Sequence, residues 1–257
     1  MHNSVKLPKF EKIPGGVMQP HPRGASARLL PKPEKYLYTL NLMSQNISLK
    51  DAVAKVKDGM TIMVGGFLAN GSADTILQAL AESGVKDLTI ICNDTGYPDK
   101  GVGRLLNNGQ VKKLIASYIG ATPIAVEQMN NGTLEVEFSP QGTLAERIRS
   151  GGFGLGGVLT PTGLGTIVAE GKEIVNVDGK DYLLEKPLKA DMALIGATTA
   201  DEDGNLIYKG TSRNFNPLMA MAADVVICEA EERVPTGSIE PENVHTPSIF
   251  VDYILER

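Results

Sequence analysis

Residues 60–74 read MTIMVGGFLANGSAD. An apolar run ends in Gly65-Gly66-Phe67, and Asn70-Gly71-Ser72 leads into the amphipathic stretch DTILQALAESG, residues 74–84. A short apolar run, a glycine turn and a helix period together form half of a β–α unit. The chain repeats that beat. LTIIC (88–92) precedes GVGRLL, KKLIAS (112–117) precedes TPIAVEQM, and LEVEF (134–138) precedes QGTLAERIRSGG. Pro123 sits where a first helical turn tolerates it, with Thr122 as the expected cap. Before the first strand, SLKD (Ser48 to Asp51) has the form of a helix-start box, backed by Ala52, Val53 and Val56.

Runs rich in Ile and Val that alternate with helices predict an α/β fold with a doubly wound, mainly parallel sheet and helices on both faces. The second half changes rhythm. EIVNVDGKDYLLE (173–185) predicts a hairpin turning at Asp178-Gly179, and a second hairpin is expected at Asp203-Gly204. DMALIGA and DVVICEA read as buried strands, and NPLMAMAA as a helix with Pro217 in its first turn. The expected architecture is one domain over 43–257 with an antiparallel hairpin attachment. Residues 1–42, with Pro8, Pro14, Pro20, Pro31 and Pro33, show neither period and are expected to be a flexible leader or an appended extension.

Composition narrows the chemistry. At 257 residues, 42% apolar and 21% charged, the chain is long enough for an ordinary buried core. No apolar run approaches the roughly 18 residues of a membrane span, and no signal-peptide core is present, so a cytoplasmic protein is expected. Two cysteines, Cys92 and Cys228, end apolar runs and read as reduced core thiols, not a disulfide framework. Three histidines without a Cys-x-x-Cys argue against a metal site. The net charge of -5 divides into +5 over residues 1–42 and -10 over the rest, which makes a nucleic-acid partner unexpected.

Several stretches invite a site. Gly65 to Gly71 has the shape of a phosphate loop but lacks the Lys-Ser or Lys-Thr that would complete one. In GGFGLGGVLTPTGLG (151–165), Gly152, Gly154 and Gly157 satisfy G-x-G-x-x-G, yet they follow a helix pattern and not a strand. A close-approach loop near a ligand is the expectation there. Asn93 and Asp94 stand where LTIIC ends, and Gln141 follows LEVEFSP; strand exits are where open parallel sheets bind ligands. Side-chain amides are neither acids nor bases near neutral pH, but they donate well to a developing oxyanion. Glu229 to Glu232 read as solvated rim carboxylates, Glu242-Asn243 as a polar loop, and His245 as a loop-ordering or interface residue. No Ser-His-Asp or Cys-His arrangement has supporting context. The chain offers positioning groups without an evident nucleophile.

From about Met43 to its end, the sequence closely resembles the alpha subunit of family I CoA-transferases of the acetate/acetoacetate/butyrate (3-oxoacid) type. The resemblance is carried by DGMTIMVGGF with LANG, GVKDLTIICNDTG, FSPQGTLAERIRSGGFGLGGVLTPTGLGT, DGKDYLLEKPLKAD, RNFNPLMAMAADVV and HTPSIFVDYI. One departure is visible: Gly71-Ser72-Ala73 replaces the family's Gly-x-Pro. The resemblance implies ping-pong transfer of coenzyme A between carboxylic acids through a glutamyl-CoA thioester. It places the glutamate on a beta subunit, in a Ser-Glu-Asn-Gly context this chain lacks. It implies that Asn93 and Gln141 face the reacting carbonyl and that Gly65, Gly66, Phe67, Asn70 and Gly71 line the substrate site. It further implies an α2β2 assembly with that beta subunit, and coenzyme A and short-chain carboxylates as substrates, with no permanently bound cofactor. A sugar-phosphate sensor or an aldose–ketose isomerase on a related α/β fold is the alternative reading.

Overall fold

The computed structural model describes residues 44–256 together with two short strands nearer the start, β1 (Phe10–Lys12) and β2 (Met18–Pro20). These two pair antiparallel within a compact unit spanning Met1–Asn41. The remainder of the leader expected over 1–42 lies outside the described residues.

The second unit, Leu42–Arg257, is built on one sheet. Strands β3 (Gln45–Ile47), β4 (Thr61–Val64), β5 (Leu88–Asp94), β6 (Val111–Tyr118) and β7 (Glu135–Phe138) alternate with helices α1 (Leu49–Lys55), α2 (Asp74–Glu82), α3 (Gly103–Asn107), α4 (Pro123–Asn130) and α5 (Gln141–Gly152). Then come β8 (Val158–Thr160), β9 (Ile174–Val177), β10 (Lys180–Glu185), β11 (Ala190–Asp201), β12 (Leu206–Ile207), α6 (Asn216–Ala222), β13 (Ala223–Val234) and β14 (Tyr253–Leu255). The sheet runs β3-β14-β13-β11-β4-β5-β6-β7, every neighbouring pair parallel, with β12 antiparallel on β11. From β4 the chain winds outward through β5, β6 and β7. From β11 it winds the other way, so the reversal falls between β4 and β11, where Leu194 pairs with Val64. Crevices outside the carboxyl ends of strands at such a reversal are the usual ligand sites of open α/β sheets.

Strand residues alternate between two cores. Ile62, Val64, Ile90 and Leu114 pack with Ile76, Leu77 and Leu80 of α2, whereas Met63, Ile91 and Ile115 pack with Leu144 and Ile148 of α5 and Met219 of α6. Burial on both faces is why these strands read as unbroken apolar runs. The expected doubly wound sheet is therefore present. Ser48 caps α1, its hydroxyl accepting from Asp51 N at 3.1 Å. Thr122 does not cap α4 with its side chain. Its buried hydroxyl instead meets Thr95 Oγ1 at 2.9 Å, a better partner for a group with no access to water.

The antiparallel attachment is a three-stranded sheet, β8-β10-β9. Its hairpin turns at Asp178 (φ 51°) and Gly179 (φ 79°), the left-handed pair a two-residue turn requires. The glycine-rich stretch 151–165, expected to be a loop, contains β8. Gly157 packs against a neighbouring strand: a Cβ there would lie 2.6 Å from Glu185 O. An ionic chain fastens this sheet to α5. Lys172 Nζ is 2.6 Å from Glu185 Oε1, Arg147 Nε is 3.7 Å from Glu185 Oε2, and Arg147 Nη1 is 2.8 Å from Glu137 Oε1. Among the described residues no helix is long and apolar enough to cross a membrane.

Candidate active site

The two amides singled out at strand exits meet. Asn93 is the next-to-last residue of β5 and only 2% exposed; Gln141 opens α5 at the exit of β7 and faces solvent. Gln141 Nε2 donates to Asn93 Oδ1 at 2.9 Å. Ser117, on the neighbouring β6, shares its hydroxyl proton between Asn93 O at 2.7 Å and Asn93 Oδ1 at 3.0 Å. Asn93 Nδ2 donates to Asp94 Oδ2 at 2.7 Å. Each amide nitrogen carries two protons, and one on each is used inside this network. The arrangement supplies neutral N–H dipoles at the mouth of the sheet.

The glycine turn stands beside it. Gly65 N extends the β4 ladder onto Leu194 O at 3.0 Å. Phe67 and Asn70 then close a tight turn with paired backbone bonds of 3.1 and 2.9 Å, through Leu68 (φ 47°) and Ala69 (φ 61°). Left-handed backbone at two successive non-glycine residues is costly and must be held by its surroundings. The hold comes from Asn214 and Asn216. Asn214 Oδ1 accepts from Gly66 N at 3.1 Å, Asn214 Nδ2 donates to Asn70 O at 3.0 Å, and Asn216 Nδ2 donates to Gly71 O at 2.9 Å. Asp94 holds the turn from below, accepting from Leu68 N at 3.0 Å and from Gly96 N at 2.8 Å.

Two of the glycines are needed for contacts within this chain. A Cβ on Gly65 would sit 1.7 Å from Asn216 Oδ1, and one on Gly71 (φ 74°) would sit 2.5 Å from Ser212 O. Asn70 Nδ2 reaches Thr211 Oγ1 at 2.5 Å. Phe67 is 43% exposed and, with Leu68, Tyr97 and Tyr118, leaves apolar surface at the carboxyl rim of β4, β5 and β6. Sequence reasoning missed Asn214, Asn216 and Ser117, and it placed Asp94 at the strand exit without giving it a role. Two asparagines flanking Phe215 just before a proline-started helix were the available signal.

Other reactive groups are committed elsewhere. Burial, and then the charge of Asp94, push the Cys92 thiol well up, so it is held protonated and is no nucleophile. Burial does the same to Cys228. Glu229 corrects the rim expectation. It is 7% exposed and accepts from Thr75 N at 2.9 Å, Ile76 N at 3.3 Å and the Thr75 hydroxyl. The helix α2 begins after Ala73, which has no capping side chain, so this carboxylate satisfies the orphan donors instead. His245 orders its loop, as expected: Nδ1 accepts from Tyr208 N at 3.0 Å and the ring stacks on Tyr208. Among the described residues no group of three potential ligands could hold a metal ion. Beside α5, starting one residue after Gln141, lies a cavity of about 620 Å³ lined by Gly142, Thr143, Glu146, Arg149, Leu155 and Leu159.

Comparison with known proteins gives the family. Residues 46–257 match the family model described as Coenzyme A transferase. The chain is 52% identical to the acetate CoA-transferase subunit alpha of Escherichia coli K12, covering 81% of this chain and 95% of that protein. It is 56% identical to the acetoacetyl-CoA:acetate/butyrate CoA transferase alpha subunit of Clostridium acetobutylicum, covering 78% and 92%. In fold it is similar to the acyl-CoA transferase YdiF of Escherichia coli O157:H7, with a TM-score of 0.74 and 22% identity, over 85% of this chain and 48% of that one. The chain belongs to the coenzyme A transferase family, as a subunit of the alpha type.

Proposed function

We propose that this chain is the carbonyl-framing half of a CoA-transferase that moves coenzyme A between a short-chain or 3-oxoacyl-CoA and a carboxylic acid such as acetate, acetoacetate or butyrate. A beta subunit supplies the attacking glutamate, and the two assemble as α2β2 in the cytoplasm. The glutamate carboxylate attacks the thioester carbonyl, forming an acyl–glutamyl anhydride and releasing the CoA thiolate. The thiolate attacks the glutamyl carbonyl, giving a glutamyl-CoA thioester and the first free acid. The second acid then runs both steps in reverse. Each addition places negative charge on a carbonyl oxygen, and a preorganised N–H donor stabilises that charge without reorganising.

The observation that carries the reading is the Gln141–Asn93 pair, two joined amides at neighbouring strand exits, each with one N–H left to donate. The nearest carboxylate, Asp94, is bonded by three separate N–H donors and stands as a structural anchor, not as an attacking group. An isomerase would need its own acid/base carboxylate here. The relatives' names support the alpha role and the acid class.

The test is reconstitution. The alpha chain alone gives no transfer from acetoacetyl-CoA to acetate, and addition of the beta subunit restores it. In the pair, Asn93→Ala and Gln141→Ala each lower kcat by about 10²–10³ while assembly survives. Transfer by the isolated chain overturns the division of labour.

A further inference from the structure

We infer that Asp94 is a positioning residue whose carboxylate fixes which way round the Asn93 and Gln141 amides stand, and so which of their protons remain for substrate. The inference rests on the reading of that pair as the carbonyl-stabilising site. A side-chain amide fits its space in two orientations, related by a flip that exchanges donor and acceptor ends. A carboxylate has acceptors only. Asp94 Oδ2 takes Asn93 Nδ2 at 2.7 Å and Leu68 N at 3.0 Å, and Oδ1 takes Gly96 N at 2.8 Å. The nitrogen end of Asn93 must therefore face Asp94.

The rest follows in order. With Nδ2 committed, Asn93 Oδ1 turns toward Ser117 and Gln141, and Gln141 has to present its nitrogen, as observed at 2.9 Å. Flipping Asn93 would set two oxygens against each other at Asp94 and two nitrogens against each other at Gln141. The orientation leaves one N–H on Asn93 Nδ2 and one on Gln141 Nε2. In the opposite arrangement the Asn93 nitrogen would be spent on Gln141 and Ser117, with none left over. The same carboxylate holds the strained Leu68–Ala69 turn, so the amide pair and the Phe67 rim are set by one anchor that itself touches no reacting atom.

Asp94→Asn tests this with almost no change in shape. One amide oxygen cannot serve three donors, and its NH2 must oppose at least one of them. In the reconstituted pair, the variant is expected to lower kcat about 10²-fold while KM for donor and acceptor stays within about twofold, the pattern of an interaction made only in the transition state. Amide proton exchange read by NMR on the wild-type pair, with alpha labelled at asparagine, gives an independent answer. One Asn93 Nδ2 proton should be strongly protected and its twin should exchange measurably faster. Turnover of Asp94→Asn within about threefold of wild type, or a loss confined to KM, overturns the inference. So does equal exchange of the two Asn93 protons, which decides the matter even where Asp94→Asn fails to assemble. A wild-type pair that transfers no CoA at all would sink the proposed function instead, leaving the exchange pattern to judge the orientation.

Discussion

The carboxyl edge of the parallel sheet and the antiparallel attachment hold their parts by opposite means. At the sheet edge, neutral amides do most of the work: Asn93, Gln141, Asn214 and Asn216 bond one another and the backbone, with Asp94 as the charged anchor of the Asn93 amide. At the attachment, Lys172, Glu185, Arg147 and Glu137 form an ionic chain around a Glu185 side chain only 1% exposed. Neutral dipoles lend their remaining protons to a developing charge without adding a fixed charge of their own. Buried ion pairs lock two elements together but punish the loss of one partner. The molecule keeps its site and its fastening chemically separate.

That separation is open to attack in order of expected effect. Arg147→Ala leaves the buried Glu185 with Lys172 alone and takes the guanidinium from Glu137 and from Lys186 O, and should cost about 3 kcal/mol in denaturant unfolding. The transfer rate per folded molecule should stay near wild type; a proportionate loss of turnover would mean the two regions are not separate. Gly65→Ala, which drives a methyl into Asn216, should cost about 1–3 kcal/mol by the same measurement and also lower turnover, because it disturbs the turn itself. Full stability in that variant would show the contact with Asn216 to be soft. Glu229→Ala removes the borrowed cap of α2 and should cost about 1 kcal/mol, with Thr75→Ala smaller.

The smallest expected effect concerns pH. Burial, and then the nearby Arg213, lower the folded pKa of His245, so the imidazole stays neutral and Nδ1 keeps accepting from Tyr208 N. The unfolded chain binds the proton more readily. Stability from this residue is therefore complete above about pH 6.5 and declines as the pH falls from there through the lowered folded value. Thermal unfolding of His245→Asn, which keeps an acceptor that does not titrate, should show a shallower decline between neutral and mildly acidic pH. Identical slopes for the two proteins would remove His245 from the account.

Local chemistry was legible in the sequence. The strand–helix beat gave the doubly wound sheet, Asp178-Gly179 gave the hairpin of the antiparallel attachment, and the strand exits pointed to Asn93 and Gln141, whose amides meet. What escaped depends on groups far apart in the chain. Glu229 looked like a rim residue because nothing near it in sequence needs a carboxylate; the donors it satisfies belong to Thr75 and Ile76, more than 150 positions earlier. Thr122 was assigned the cap its position suggests, whereas Thr95 claimed its hydroxyl. The glycines of 151–165 suggested a loop, since a strand as short as β8 has too few residues to show a period.

The turn at Phe67–Asn70 is bonded to Asn214, 144 residues further on. A chain emerging from the ribosome has completed β4, β5 and β6 long before it can give that turn its shape. A fragment ending between Gln141 and Asn214 would therefore carry Asn93, Gln141 and the whole GGFLANG segment, yet present an unformed mouth to a partner. Assembly competence would then be a signal of finished synthesis.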